Sequence, residues 1–478
     1  MDIRPYYIGG EWRQSDTAFD CYSPSDTASL AARYARASEA DAEQALVRAA
    51  AAFSDWSAST NQQRAEILDK AGHLIAARAS DFARALAEES GKPLADSTAE
   101  VHRAAWIFRF FAGEALRISG ERIDSVRKGV DVEITREPVG VVGLITPWNF
   151  PVAIPAWKTA PALAYGNCVV LKPSDTAPGC AWLLAQVLHE CGLPPGVFNL
   201  ITSSGSVTGK AFTESPHCDA ISFTGSVGVG QQLLEAAARR RVRIQLEMGG
   251  KNPLVVVDDA DLETAVTVAV SGAFQQAGQR CTASSRIIVT DGIWQTFTTR
   301  FIERMKAMRV GHALAEGTEI GPVATKAQLN TNQRYLAFAR EDGAKVIGGE
   351  IIDHDPAGLY MRPAALLDST MKMRANREEI FGPVAGLIRV PDYDAALEAA
   401  NDTEFGLSAG ICTSSLKLAA DFKRKSKAGM VMVNLPTAGV DYHLPFGGRK
   451  GSSYGPREQG TYARDFYTIV KTAYTGYA

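Results

Sequence analysis

From residue 139 onward, short unbroken apolar runs alternate with stretches of helical period, and that rhythm restricts the fold more than any other feature of the chain. The runs 139–145, 168–171, 197–201 and 220–223 carry no charged residue. Strands made of such runs are covered on both faces. Segments 153–164 and 179–191 lie between them and space their apolar residues as helices do. Strands alternating with helices build right-handed βαβ units and a parallel sheet. After Gly249 and Gly250 the alternation starts afresh, with a strand at 252–257, a helix at 262–276, a strand at 286–289, a helix at 294–308 and later strands at 384–390 and 430–434. Single cores stop growing at roughly 250–300 residues, so in a chain of 478 residues the second alternation reads as a second α/β domain.

Other segments frame these two. Residues 37–118 read as helices: Ser38 followed by Glu39 and Asp41 marks a start, 40–56 and 61–90 are Ala-rich with helical spacing, Gly91 and Pro93 break the pattern, and 99–114 resumes it. Residues 130–134 alternate apolar and charged side chains, as a half-exposed strand does, and 466–474 is a β-branched and aromatic terminal strand. The first twelve residues read as a strand with a turn at Gly9 and Gly10 and lack the apolar segment of a signal peptide.

Composition excludes several function classes. A formal charge of −3 with no basic run argues against a nucleic-acid partner. No uncharged apolar stretch reaches the roughly 18 residues of a membrane span. The seven cysteines are odd in number, widely spaced and without a C-x-x-C pair, which argues for reducing cytoplasm and against disulfides or zinc. The histidines show no metal-ligand spacing, so no metal site is expected.

Four segments can carry chemistry. Cys281 stands in a loop of small and polar residues between Arg280 and Arg286. Most cysteines are merely buried, but cationic neighbours favour the nucleophilic thiolate. Glu247 ends an apolar run just before Gly249 and Gly250; it is either a solvated carboxylate or a general base. Thr146, Pro147, Trp148, Asn149 and Phe150 follow the first apolar strand, where α/β proteins bind ligands. The Asn149 amide either closes a turn or donates to an oxyanion. Gly225, Ser226, Gly228 and Gly230 open a helix after a strand, as a pyrophosphate loop does, although they do not form a strict G-x-G-x-x-G. The Gly209-Lys210 pair lacks the flanking residues of a P-loop, so a kinase or NTPase is discarded.

In this order, and with Lys172-Pro173-Ser174-Asp175, Glu378-Glu379-Ile380-Phe381-Gly382-Pro383 and Pro445-Phe446-Gly447-Gly448, these motifs closely resemble the aldehyde dehydrogenase superfamily over essentially the whole chain. The resemblance implies an α/β fold with a Rossmann-like cofactor domain (1–119 and 139–249), a catalytic domain (250–449) and a small β-flap (120–138 and 465–478) for assembly into a homodimer or homotetramer. It implies NAD(P)⁺-dependent oxidation of an aldehyde to a carboxylate, with Cys281 as nucleophile, Asn149 as oxyanion donor and Glu247 activating water to hydrolyse the thioester. It also implies cofactor contacts from Thr146, Pro147, Trp148, Lys172, Ser174, Asp175, Gly225, Ser226, Glu379 and Phe381, and a proton relay at Lys158 and Glu458. CoA-acylating relatives commonly lack the glutamate present here as Glu247, so the resemblance favours hydrolysis.

The chain departs from the pattern at Met248, where leucine is usual, and at Asp175, where glutamate is common; the shorter acid leaves the choice between NAD and NADP open. The loop from Asn434 to Pro445 resembles that of the bacterial α-ketoglutaric semialdehyde dehydrogenase branch. That likeness implies a carboxylate-bearing semialdehyde, with an aldehyde dehydrogenase of broader specificity as the alternative. The substrate tunnel is then expected to use Phe150, Trp157 and Phe446, with Arg109, Arg280 and His443 as candidate partners of the distal carboxylate.

Overall fold

The computed structural model describes residues 2–477. Its first large sheet has eight strands, and five of them form the parallel core in the spatial order Arg243–Glu247, Ala220–Thr224, Val141–Ile145, Cys168–Lys172, Phe198–Leu200. The chain enters at the middle strand, Val141–Ile145, winds outward to one side and then returns to the other. The switch point therefore lies beside that strand, and in open parallel sheets ligands bind in the crevice at such a point, beyond the carboxyl ends of the strands. Register puts those ends in line: Ile145 pairs with Lys172, Phe223 with Ile145, and Thr224 with Glu247. Helices Ala153–Ala164 and Gly179–Glu190 cover the sheet, and the strand between them, Cys168–Lys172, is fully buried.

The second large sheet has seven strands, with Asn252–Val256 and Ser284–Thr290 side by side near its centre. The chain passes from Glu247 through Met248, Gly249 and Gly250 directly into Asn252–Val256, so the carboxyl edge of one sheet abuts the amino edge of the other. Helix Leu262–Phe274 is shorter than its apolar spacing predicts. It gives way to the tight turn Gln275–Gly278, in which Gln276, Ala277 and Gly278 hold φ of 55°, 54° and 65°. Left-handed backbone costs non-glycine residues of order 1–3 kcal/mol each, and it persists only where the surroundings enforce it. At Gly278 no side chain fits, because a Cβ would lie 2.2 Å from the Gly382 carbonyl oxygen.

The helical region before residue 118 is confirmed, with two differences. Segment 61–90 is two helices, Asn61–Ala77 and Ala79–Ser90, divided at Arg78, and the last helix begins at Leu94, directly after Pro93. Ser38 caps Glu39–Ser57 through a capping box with Asp41, an interaction that stabilises a helix by about 1 kcal/mol. Strands Ala18–Ser23 and Asp26–Ala35, which pair as a hairpin, have no counterpart in the sequence reading: their small and polar residues give no clean alternation. A separate antiparallel sheet joins Glu121–Asp124, Val130–Pro138 and Thr468–Gly476. Among the described residues no helix is long and apolar enough to cross a membrane.

Candidate active site

The turn at Gln275–Gly278 delivers Cys281 to the seam between the two sheets. Asn252 fixes that loop, its Nδ2 donating to the carbonyls of Cys281 at 2.7 Å and Ala283 at 3.0 Å. Six of the seven cysteines are buried and Cys281 is partly exposed. It lines two cavities at once. One, of about 280 Å³, is walled by Pro147, Trp148, Thr224, Gly225, Ser226, Glu379 and Phe381. The other, of about 230 Å³, is walled by Glu100, Arg103, Phe150, Trp157, Arg280 and Phe446. A nucleophile at the junction of two separate cavities can meet one molecule from each side.

Flanking cations led to the expectation of a thiolate at Cys281. Against them, burial pushes the thiol up to about 12, the Glu379 and Glu247 carboxylates add to the rise, and its own backbone N–H and that of Thr282 oppose it. Loss of hydration outweighs the guanidinium beside it.

Glu247 ends the strand Arg243–Glu247 and is 2% exposed, so the solvated reading is excluded. Ser453 Oγ donates to its Oε2 at 2.5 Å, while Oε1 has no partner among the described residues. Burial raises its pKa well above the carboxylate range, and Glu458 nearby raises it further. A buried carboxyl tuned upward with one free oxygen has the attributes of a general base. Gly447 keeps that oxygen clear, since a Cβ there would lie 2.7 Å from Oε1.

Asn149 is buried in the loop after Val141–Ile145. Its Nδ2 donates to the Gln279 carbonyl at 3.1 Å, and its own carbonyl accepts from Lys92 Nζ at 2.6 Å. The amide is thus held two residues from Cys281 along the nucleophile loop, with one N–H still to give. Lys92 also pairs with Glu100, whose Oε1 accepts from the N–H groups of Val152 and Ala153 at 3.1 and 3.0 Å. This buried chain braces the Asn149 loop from behind.

On the first cavity, Trp148 and Phe381 meet edge to face at 5.5 Å. Glu379 accepts from the Gly250 N–H at 3.0 Å, and burial lifts its carboxyl to about 7. Gly249 makes room for it: a Cβ would sit 2.0 Å from Glu379 Oε2. Ser226 precedes helix Val227–Arg240 without capping it, which leaves the first-turn N–H groups free for an anion. Thr146 is buried behind the loop and lines neither cavity. Lys172, Ser174 and Asp175 stand farther along the same sheet edge, also outside both cavities; Lys172 Nζ meets Asp175 Oδ1 at 3.0 Å, and Arg36 Nη1 meets Oδ2 at 3.3 Å. Lys158 and Glu458 form a buried ion pair, joined by Ser222 and by the Trp157 indole N–H, which donates to Glu458 at 2.7 Å.

The second cavity gathers Phe150, Trp157, Phe446 and Arg280 as expected, with the rings of Trp157 and Phe446 5.4 Å apart. Arg109 and His443 do not line it. Arg109 is exposed and faces Asp69 at 3.8 Å, because it lies on the outer side of its helix, and His443 is exposed against the Tyr442 ring. The cation that the sequence reading missed is Arg103, on the inner side of that helix. It was separable from Arg109 only by the helical period, three apolar positions (Ala104, Ala105 and Ile107) marking the buried face. Ser453, Lys92 and Gln279 were missed because they act through neighbours remote in sequence.

Comparison with known proteins identifies the family. Residues 12–473 match the aldehyde dehydrogenase family. The α-ketoglutaric semialdehyde dehydrogenase of Bacillus subtilis is 42% identical over 98% of this chain and 97% of its own. The 2,5-dioxopentanoate dehydrogenase of Saccharolobus solfataricus is 39% identical over 95% of each chain. The crystal structure of betaine aldehyde dehydrogenase from Staphylococcus aureus, in complex with NAD⁺, superposes with a TM-score of 0.96 at 34% identity, covering 99% of this chain and 94% of that one. With a catalytic-type cysteine at the meeting of two cavities, and with likeness along nearly its whole length, the chain belongs to the aldehyde dehydrogenase family.

Proposed function

We propose that this protein oxidises a short carboxylate-bearing semialdehyde, of the α-ketoglutaric semialdehyde type, to the acid with NAD⁺ or NADP⁺. The observation that carries the reading is Cys281 at the junction of the two cavities, with the unpartnered Glu247 oxygen nearby. The first cavity suits the nicotinamide half of a dinucleotide: Gly225, Ser226 and the helix start suit a pyrophosphate, Glu379 suits a ribose hydroxyl, and Trp148 and Phe381 supply flat apolar walls. Lys172, Ser174 and Asp175, on the same sheet edge, are the residues for the adenosine end. When bound, the nicotinamide supplies the hydride acceptor that makes the reaction an oxidation.

The residues of this chain do the rest. Cys281 Sγ, once deprotonated, attacks the aldehyde carbon from the second cavity. The Asn149 Nδ2 and a backbone N–H of the Cys281 loop face the developing oxyanion, and loss of one such donor typically costs about 10²–10³ in rate. Glu247 Oε1 takes the proton of a water molecule that hydrolyses the resulting thioester on Cys281. The buried Lys158–Glu458 pair lies close enough to Glu247 to influence its proton, as a relay partner would. The exposed sheet with Ile469, Val470 and Tyr474 supports self-association into a homodimer or homotetramer, with the chain read as split cofactor domain, catalytic domain and flap.

The test is the rate of NAD⁺ and NADP⁺ reduction with α-ketoglutaric semialdehyde, with Cys281→Ala as control. Turnover that vanishes in the variant is expected. Turnover that survives it overturns the thioester route.

A further inference from the structure

The walls of the second cavity include two guanidinium groups, those of Arg103 and Arg280. Arg103 Nη2 donates to Gln459 Oε1 at 3.2 Å, and Arg280 Nη2 donates to Gln275 Oε1 at 3.3 Å, both neutral amides. The Nε of each is buried and has no partner. Neither arginine forms an ion pair among the described residues. Two carboxylates share the cavity wall. Glu100 is already engaged by Lys92 and by the N–H groups of Val152 and Ala153. Asp96 is partly exposed on the same helix as Arg103. Among the wall residues the two guanidinium groups outnumber the one free carboxylate, Asp96, by one charge, while Asp441, outside the wall, also acts on Arg103. Burial disfavours both guanidinium charges, and both are close enough to Cys281 to be affected by its charge.

Buried charges without a counter-ion are costly, and buried donors are nearly always bonded. The Nη1 of each arginine has no partner among the described residues, and two such groups in the wall of one cavity form an anion seat, for which the planar guanidinium suits a carboxylate. The apolar faces of Trp157, Phe150 and Phe446 in the same cavity suit an alkyl chain. The Arg103 guanidinium lies over the Trp157 ring, 5.7 Å from its centroid, so its direction is held by the same ring that would flank the chain.

We propose that Arg103 and Arg280 together seat the distal carboxylate of the substrate and thereby set the preference for acidic aldehydes. This rests on the semialdehyde reading above and names the residues that would enforce it. Seating that carboxylate in front of Cys281 turns the opposite end of the molecule, the aldehyde, toward Sγ.

The experiment compares α-ketoglutaric semialdehyde with an uncharged aldehyde of equal chain length in wild type, Arg103→Gln, Arg280→Gln and Arg103→Lys. Wild type is expected to favour the semialdehyde. Arg103→Gln should cut that discrimination about 10- to 100-fold, the range for a lost charge-assisted hydrogen bond, and the loss should appear in KM more than in kcat. Arg103→Lys keeps the charge and should recover part of it. A readout without turnover is protection of Cys281 from alkylation by 2-oxoglutarate, whose half-protecting concentration should rise by a similar factor in Arg103→Gln. If wild type prefers the semialdehyde and both glutamine variants keep that preference, the arginine seat is overturned while the substrate reading stands. If wild type shows no preference for the carboxylate, the substrate reading fails and the seat with it.

Discussion

Ser453 Oγ donates to Glu247 Oε2 at 2.5 Å across two elements that are far apart in sequence, and it is the one side-chain bond that counters the burial of this carboxyl. It stabilises the ionised form, so it lowers a pKa that burial has raised. Glu247 must be ionised to take a proton, and activity should therefore rise with pH through its titration. Ser453→Ala should move the acidic limb of the kcat profile upward by about one pH unit, in keeping with the strength of a hydrogen bond to a charge. A limb that stays in place, or moves down, removes Glu247 from the rate-limiting proton transfer.

The Cys281 thiol is held up by burial and then by Glu379. Glu379→Gln keeps an acceptor for the Gly250 N–H and removes the charge. The thiol pKa should fall, and alkylation of Cys281 by iodoacetamide should speed up by as much as about tenfold, one pKa unit. The gain should appear only above about pH 7, because the wild-type Glu379 carboxyl is itself neutral below that point. Mass spectrometry of the labelled peptide separates Cys281 from the six buried cysteines. An equal gain at pH 6 would show that the variant acts through packing instead.

Asp175 is held between Lys172 and Arg36 on the sheet edge assigned to the adenosine end. A carboxylate there repels a 2′-phosphate, whereas the two cations, once released, attract one. Asp175→Ala should raise the ratio of kcat/KM for NADP⁺ over NAD⁺ by about tenfold, the scale of one exposed charge pair gained and one repulsion lost. Steady-state rates with both cofactors check it, and an unchanged ratio places the ribose elsewhere.

Away from the site, Glu89 is fully enclosed. Burial lifts its carboxyl from 4.5 to about 7, although the Tyr34 hydroxyl donates to it at 2.5 Å and the Gly179 N–H at 2.8 Å. Between these two values the folded chain keeps a proton that the unfolded chain has released. The stabilisation is complete below about pH 4.5 and is lost as pH rises through 7, an effect of about 3 kcal/mol. Glu89→Gln has no proton to lose, so its unfolding midpoint should decline less steeply across that window. Denaturant melts at several pH values decide it, and parallel slopes for the two proteins sink the idea.

Much of this molecule was legible in its residues because the signals are local. A short apolar run without charges reads as a doubly covered strand, and such runs located the parallel core of the first sheet and four of the seven strands of the second, while Lys345–Gly348, Ala364–Leu367 and Ser408–Cys412 went unread. Cys281, Glu247 and Asn149 each stood within three residues of a glycine or proline, and such breaks in pattern are readable one segment at a time. What folding alone decided is which remote side chains share a space. Arg103 and Arg109 lie on the same helix, yet only Arg103 faces Cys281, since a helix turns about 100° per residue and its buried face is set by what packs against it. Sequence marked Arg280 and Arg286 as activating cations, but the titration of Cys281 depends on how much water the two sheets exclude where they meet. Burial, and with it every pKa in the site, is a property of the assembled layers and has no representation in any one segment.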